Sequence, residues 1–237
     1  MISFSLSLDV SAAFPGTLIA LVTADVLRVR EPWPRCAAAL EDLERKAAEG
    51  AWAPAGGTDP RIRAWHAAYR SFGTDPNRVR PGVEALGRRL AEKGRLPRVN
   101  PAVDACSAVS VRSGLPARAF DLDAIARPVE IRFAEGTEEF TPLGEPGTVR
   151  SPAPGEVVYA SGTEVLTRHW NHRDARRTRV TEDSEQVVFV LETVDAARDG
   201  ERLREAVLRL EELLAPHADE VEAEYLAPSQ PQVMAGF

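Results

Sequence analysis

The spacing of hydrophobic positions in the first third of the chain predicts two strands followed by helices. Residues 2–8 alternate between apolar and polar, which is typical of a strand with one buried face. Residues 18–29 are almost continuously apolar, which predicts a central strand. Apolar residues then recur at helical spacing between Cys36 and Ala47, and Gly50 follows them. Two more helices are predicted, one beginning at Thr58 or Asp59 and one after Pro81.

The pattern changes after residue 122 and predicts short strands before a closing helix. Residues 129–133 alternate between Pro128 and Gly136. Similar β-rich runs occupy 140–143, 156–159, 164–168 and 186–193, and an apolar stripe over 199–214 predicts a helix. This order favours an α+β fold in which a mixed or antiparallel sheet packs against helices. We expect one domain over residues 1–225 and a loose C-terminal tail over 226–237.

A small-residue helix in the middle of the chain carries unusual polar side chains. Asn100 and Pro101 suit a helix start, because the amide caps free N–H groups and proline needs none at the first position. Gly114 suits its end. Asp104, Cys106, Ser107 and Ser110 lie on an otherwise apolar helix, and buried polar groups need partners. The helix is therefore predicted to line a site or a tight hydrogen-bond network.

Composition narrows the class of protein. The chain has 237 residues, of which 44% are hydrophobic, so it can bury a substantial core. Its two cysteines and the absence of a charged-then-apolar leader favour a cytoplasmic protein without a disulfide framework. The apolar run 18–22 is too short for a membrane span, which needs about 20 residues.

The net charge of −7 hides two basic segments. Residues 59–98 hold ten Lys/Arg against four Asp/Glu, and residues 168–179 hold five Arg against one Asp. The acidic balance comes mainly from residues 182–224. Phosphate contact needs only a local patch, so the basic segments are candidates for an RNA-binding surface. A solvated arginine-rich face is the alternative.

Several motifs resemble the B3/B4 editing domain of the phenylalanyl-tRNA synthetase beta subunit. The resemblance includes Asn100, Val103 and Asp104, followed by the run from Pro116 through Ala119-Phe-Asp-Leu122. Segments 65–76, 84–89 and 170–174 are similar to freestanding relatives of that module. The resemblance covers most of residues 1–225 and implies a B3/B4-like fold in a standalone member.

The resemblance implies hydrolysis of mischarged aminoacyl-tRNA. Such an ester is activated, so an enzyme mainly positions water, stabilises the oxyanion and selects the amino acid. No cofactor, metal or dedicated nucleophile is implied, and His169 and His172 lack the further ligands of a metal site. The expected partners are tRNA and, as a further candidate, an aminoacyl-tRNA synthetase; no membrane partner is expected.

The candidate site residues follow from the resemblance, and each keeps a structural alternative. Asn171 and Asp174 are the candidates for substrate recognition or water orientation. Asn100 is also explained as a cap, Cys106 as a buried inert thiol, and Asp104 as an internal acceptor. The remaining substrate-binding candidates are Ser107, Arg118, Trp170, Arg173 and Glu192, and the candidate tRNA contacts are Arg168, Arg176, Arg177 and Arg179.

Two hypotheses concern the chemistry of the pocket. Arg118 stands where the synthetase domain often has histidine; it cannot act as a general base, but it can bind an anion or pair with Asp121 or Asp123. Asp174 and Glu192 together would form an acidic floor suited to a cationic amino-acid side chain. The alternative functions are a non-catalytic module that binds a tRNA acceptor end or an amino acid, and a metabolic enzyme for which RNA is irrelevant.

Overall fold

The computed structural model describes residues 1–145 and 147–237. The strands are β1 (Ile2–Leu6), β2 (Leu18–Asp25), β3 (Ala117–Asp121), β4 (Val129–Phe133), β5 (Val157–Ser161), β6 (Glu164–Arg168), β7 (Arg173–Asp174), β8 (Val187–Thr193), β9 (Glu220–Leu226) and β10 (Gln232–Ala235). The helices are α1 (Leu8–Ala13), α2 (Pro34–Ala48), α3 (Pro60–Ser71), α4 (Gly82–Lys93), α5 (Pro101–Ser113) and α6 (Ala196–Leu214). Among the described residues, no helix is both long and apolar enough to cross a membrane.

The strands form two sheets. The larger has the order β10-β1-β4-β5-β6-β7, and all its pairings are antiparallel except β1 with β4. The smaller has the order β3-β8-β2-β9 and is antiparallel throughout. The predicted α+β class, with mixed and antiparallel sheets packed with helices, is confirmed.

The central strands of the smaller sheet, β2 and β8, are buried on both faces, which explains their continuous apolar runs. Ala20 and Val22 belong to the core that α2, α5 and α6 complete, whereas Ile19 and Leu21 belong to a core shared with the larger sheet. Successive side chains of a strand point to opposite faces, so a strand covered on both sides needs apolar residues at every position.

The start and the end of α5 follow the capping signals in the sequence. The Asn100 side chain accepts a hydrogen bond from Val103 N at 3.0 Å, and its amide nitrogen donates to Val180 O at 3.1 Å. Gly114 ends the helix at φ +70°, where a side chain would be strained. Asn100 thereby ties the helix to the segment that follows β7, and together they form one side of the main pocket.

Several local predictions need correction. The strand predicted over 18–29 ends at Asp25, because Val26 has φ +48° and turns the chain out of the sheet. Residues 140–143 form only isolated bridges, Phe140 with Arg150 and Pro142 with Ala175. Residues 117–121 and 220–226 form strands that were not predicted. Residues 232–235 were expected in a loose tail but pair with β1.

Candidate functional site

A pocket lies beside β3, one of the two edge strands of the smaller sheet. It has a volume of about 1020 Å³, and α4, α5, β3 and residues 171–180 form its walls. Its apolar lining includes Leu86, Val103, Ala117, Ala119 and Val180. The pocket therefore combines apolar walls with the polar groups described below.

A buried ion pair lies at the floor of this pocket, where Arg118 lines the cavity and Glu192 lies behind it. The side chain of Arg118 is only 4% exposed, and its Nη2 donates to Glu192 Oε1 at 2.7 Å while Nη1 donates to the carbonyl of Trp170 at 2.6 Å. Tyr159 Oη and Trp170 Nε1 both donate to Glu192 Oε2, at 2.7 and 3.0 Å. Buried charges are tolerated when their hydrogen-bonding capacity is used in this way.

Burial and neighbouring charges determine the protonation states of Arg118 and Tyr159. Burial raises the pKa of Glu192, and the Arg118 charge and the donated hydrogen bonds oppose that shift. Burial opposes the charge of Arg118, but Glu192 and Asp174 together hold its pKa above the ordinary value. Burial also raises the pKa of Tyr159. Arg118 therefore stays cationic and Tyr159 stays a hydrogen-bond donor at neutral pH.

The backbone before Asn171 is strained. His169 and Trp170 have φ +47° and +62°, a region that non-glycine residues rarely occupy. The turn is fixed at both ends, because Glu156 Oε1 accepts from His169 N at 2.9 Å and Gly82 N donates to Asn171 O at 3.0 Å. This conformation brings the Trp170 carbonyl onto Arg118 and places Asn171 on the pocket wall.

A hydrogen bond from Tyr69 orients the Asn171 side chain. Tyr69 Oη donates to Asn171 Oδ1 at 2.7 Å, and both residues are buried. The amide nitrogen of Asn171 lies near enough to the Glu192 carboxylate to lower its pKa, but the geometry is not that of a hydrogen bond. The side chain of Asn171 thus has a fixed orientation before any substrate binds.

Asp174 is a partly exposed carboxylate beside the floor. Its side chain is 37% exposed, and Oδ1 accepts from Thr167 Oγ1 at 2.8 Å and lies 4.0 Å from Arg118 Nε. Among the described residues, no group donates a hydrogen bond to Oδ2. One carboxylate oxygen is therefore positioned by the protein while the other is left for a ligand or water.

The α5 side of the pocket presents Cys106 and Ser107. Burial raises the pKa of the Cys106 thiol to about 12. Because the thiolate is the nucleophilic form, Cys106 is not an activated nucleophile at neutral pH. Its small side chain lines the α5 side of the pocket.

The mouth of the pocket is strongly basic. Residues from both basic segments of the sequence meet there, although they come from well-separated parts of the chain. Two of these cations have acidic partners: Arg88 lies 3.3 Å from Glu92, and Arg80 lies 3.8 Å from Glu84. The cationic side chains are Arg78, Arg80, Arg88, Arg89, Lys93, Arg95 and Arg179.

Sequence comparison assigns the family. The family model of the B3/4 domain matches residues 64–217, which include α4, α5, β3 and every residue of the buried floor network. The chain belongs to the B3/4 domain family. This assignment confirms the resemblance that the sequence motifs indicated.

The B3/4 chain is also similar to a solved structure. That structure is an N-terminal fragment of the phenylalanyl-tRNA synthetase beta-subunit from Pyrococcus horikoshii, with 15% sequence identity and a TM-score of 0.47. The similarity covers 94% of this chain and 50% of that chain, so the B3/4 chain spans about half the length of the fragment. No curated protein matches it.

The B3/4 structure brings some of the predicted site residues together. Those lining the main pocket are Cys106, Ser107, Arg118, Asn171, Asp174 and Arg179. Arg118 pairs with Glu192 rather than with Asp121 or Asp123. Glu192 is fully buried and bound to Arg118, so it does not form an acidic floor with Asp174.

The other predicted residues lie around the B3/4 pocket rather than in it. Asp104 accepts from Val99 N at 2.9 Å, and Trp170 packs in the aromatic core. Arg168 forms a two-pronged pair with Glu156, whereas Arg173 pairs with Glu145. Arg176 and Arg177 line a second cleft of about 510 Å³, which shares Ala175 and Arg179 with the main pocket.

Sequence reasoning missed three polar supports of the site. Tyr69 and Tyr159 lie on predicted elements but gave no sign of facing Asn171 and Glu192. His172 was considered only as a metal ligand; its Nδ1 donates to Arg80 O at 2.8 Å, and the ring lines the pocket. These contacts join residues 33 to 102 positions apart, and local spacing carries no signal for them.

Proposed function

We propose that the protein hydrolyses the ester bond between an incorrect amino acid and the terminal ribose of a tRNA. The observation that carries this proposal is the division of one pocket into a basic mouth and an apolar interior with a polar floor. The mouth suits the phosphates of the tRNA acceptor end, and the interior suits an amino acid. Membership of the B3/4 family and the motif resemblance to the synthetase editing domain support the same function.

The reaction needs little beyond positioning. Water adds to the ester carbon, the bond to the ribose oxygen breaks, and that oxygen takes up the proton released by the water. Asn171 and Asp174 are the residues that we assign to the reacting end, for substrate recognition or water orientation. Cys106 and Arg118 are excluded as nucleophile and general base by the high pKa of each.

A specific observation favours the alternative of a binding module without catalysis. Arg118 occupies the position where the synthetase domain often carries histidine, and both terminal nitrogens of its guanidinium are used within the protein. Recognition of an acceptor end or an amino acid would use the same mouth and walls. The two functions therefore differ in turnover rather than in the surface that binds tRNA.

Deacylation of a panel of correctly and incorrectly charged tRNAs tests the proposal. We expect the purified protein to release one class of amino acid selectively, and the Asp174→Ala variant to lose that activity. Asp123→Ala is the matched control, because Asp123 is exposed and lies outside the residues that line the pocket. Salt-sensitive tRNA binding without hydrolysis of any panel member would establish the binding module instead.

A further inference from the structure

The charges at the floor of the pocket leave one negative charge in excess. Glu192 is neutralised by Arg118, with which it shares a 2.7 Å hydrogen bond, and both side chains are almost inaccessible. Asp174 lies 4.0 Å from the same guanidinium but is its second, longer partner. One cationic group on the substrate would therefore balance the floor.

The Asp174 carboxylate is oriented by the protein in a way that suits binding of a cationic group. Thr167 is fully buried and fixes Oδ1, so the carboxylate is oriented without a substrate. Within the described residues, Oδ2 accepts no hydrogen bond from the protein. Glu92, the other acid that lines the pocket, pairs with Arg88 near the mouth. Asp174 is thus the acidic group offered to the reacting end of a ligand.

We infer that Asp174 binds the α-ammonium group of the aminoacyl ester. This inference rests on the proposed function. Every aminoacyl ester brings one α-ammonium group, which matches the single excess negative charge. A cationic side chain would add a second charge without a partner, and burying an unpaired charge is costly. The apolar walls at Leu86, Val103 and Ala117 accordingly select neutral side chains.

A pair of isosteric substrates tests this role. One is a tRNA charged with a neutral amino acid, and the other is the same tRNA carrying the corresponding 2-hydroxy acid, in which a hydroxyl replaces the ammonium. We expect Asp174→Asn to lower kcat/KM for the amino acid ester by about 10- to 100-fold, the range for a lost charge-assisted hydrogen bond. The same variant should lose much less on the hydroxy ester, because the hydroxyl contributes a hydrogen bond without the charge of the ammonium group. The amide oxygen of the variant can still accept from Thr167, so the local fold is retained.

The outcomes separate the inference from the function on which it rests. An equal loss on both esters would assign Asp174 to water orientation and overturn the inference while leaving the hydrolase intact. Equal cleavage of both esters by the wild type would also overturn it. If neither ester is hydrolysed, the proposed function fails and the inference fails with it. Asp123→Asn should match the wild type on both substrates.

Discussion

Arg118 both stabilises the backbone around the pocket and neutralises a buried carboxylate. Arg118 connects the Trp170 carbonyl, Glu192 and Asp174, and its Cζ lies 5.2 Å from the centre of the Tyr159 ring. It therefore holds the turn that carries Asn171 as well as neutralising a carboxylate. Its identity was evident from the sequence, but its partner was not, because Glu192 lies 74 positions away on another strand.

Removing the Arg118 charge should strongly destabilise the protein. Arg118→Met leaves Glu192 buried without its cation, and breaking a buried pair from one side costs about 3–5 kcal/mol. The double variant with Glu192→Gln should recover part of that loss, because the remaining groups are neutral and the introduced amide oxygen can still accept from Tyr159. Urea unfolding of both variants measures the difference. Additive losses would show that the two side chains are not coupled.

His169 should make the stability of the protein depend on pH. Burial lowers the pKa of His169 from 6.5 to about 4, so the unfolded state binds more protons between these values. The stabilisation is complete above pH 6.5 and is lost as the pH falls toward 4, by about 3 kcal/mol in all. His169→Asn suits the left-handed backbone and does not titrate there. Urea unfolding at about pH 7 and about pH 4.5 should give a smaller decrease for this variant than for the wild type.

At the scale of elements, the site depends on how closely α4 approaches the strained turn. The first residue of α4 is Gly82, and a Cβ built there would lie 2.9 Å from Asn171 O. The same helix then carries Ala85, Leu86 and Arg89 along the pocket. The helix therefore runs from the Asn171 end of the pocket to its basic mouth, and its first residue contacts the backbone of Asn171.

Gly82→Ala tests this approach. The added methyl group meets the backbone oxygen that accepts the hydrogen bond from Gly82 N, so we expect a loss of about 1–2 kcal/mol together with reduced activity. Gly200→Ala is the matched control in α6, since its nearest contacts would be ordinary at 3.7 and 3.8 Å. The control should gain up to about 1 kcal/mol from helix propensity. A gain in both variants would contradict a tight contact at Gly82.

The elements themselves were predictable where burial leaves a periodic pattern. The bounds of α5 follow from Asn100 and Gly114, and 129–133 has the bounds of β4. The sequence was uninformative at the sheet edges. In β9, exposed Glu220, Glu222 and Glu224 alternate with partly buried residues, and the acidic pattern resembles that of a solvated surface. Residues 220–226 form a strand because they pair with β2, and not because their own sequence favours one.

Across the whole molecule, the fold gathers cationic side chains at one site although the chain as a whole is acidic. The net charge is −7, but seven cationic side chains surround the pocket mouth. Local spacing could not show that residues 78–95 and 179 line one pocket, because this depends on how α4 packs against α5 and the turn after β6. The class of fold was predictable from periodicity, and several residues that line the pocket were predictable from the motifs, but their hydrogen-bond partners were not.

The salt dependence of tRNA binding should depend on the cationic side chains at the pocket mouth. Each phosphate contact on a single strand contributes about 0.7 to the slope of log K against log salt concentration. Arg89→Gln and Lys93→Gln should each weaken binding and lower the slope by about this amount. Arg45→Gln, on the exposed face of α2 and paired with Asp42 and Glu49, should leave the slope unchanged. Equal effects at all three positions would indicate non-specific attraction.

Glu192 lies on β8, a strand whose backbone opens only when the whole domain unfolds. β8 lies between β3 and β2, and its side chains are buried on both faces. Amide hydrogens of such a strand exchange with deuterated solvent only when the whole domain opens. Those of exposed residues near the mouth exchange through small local openings. The cationic side chains at the mouth can therefore move while the charge network beneath them keeps its geometry until the domain unfolds.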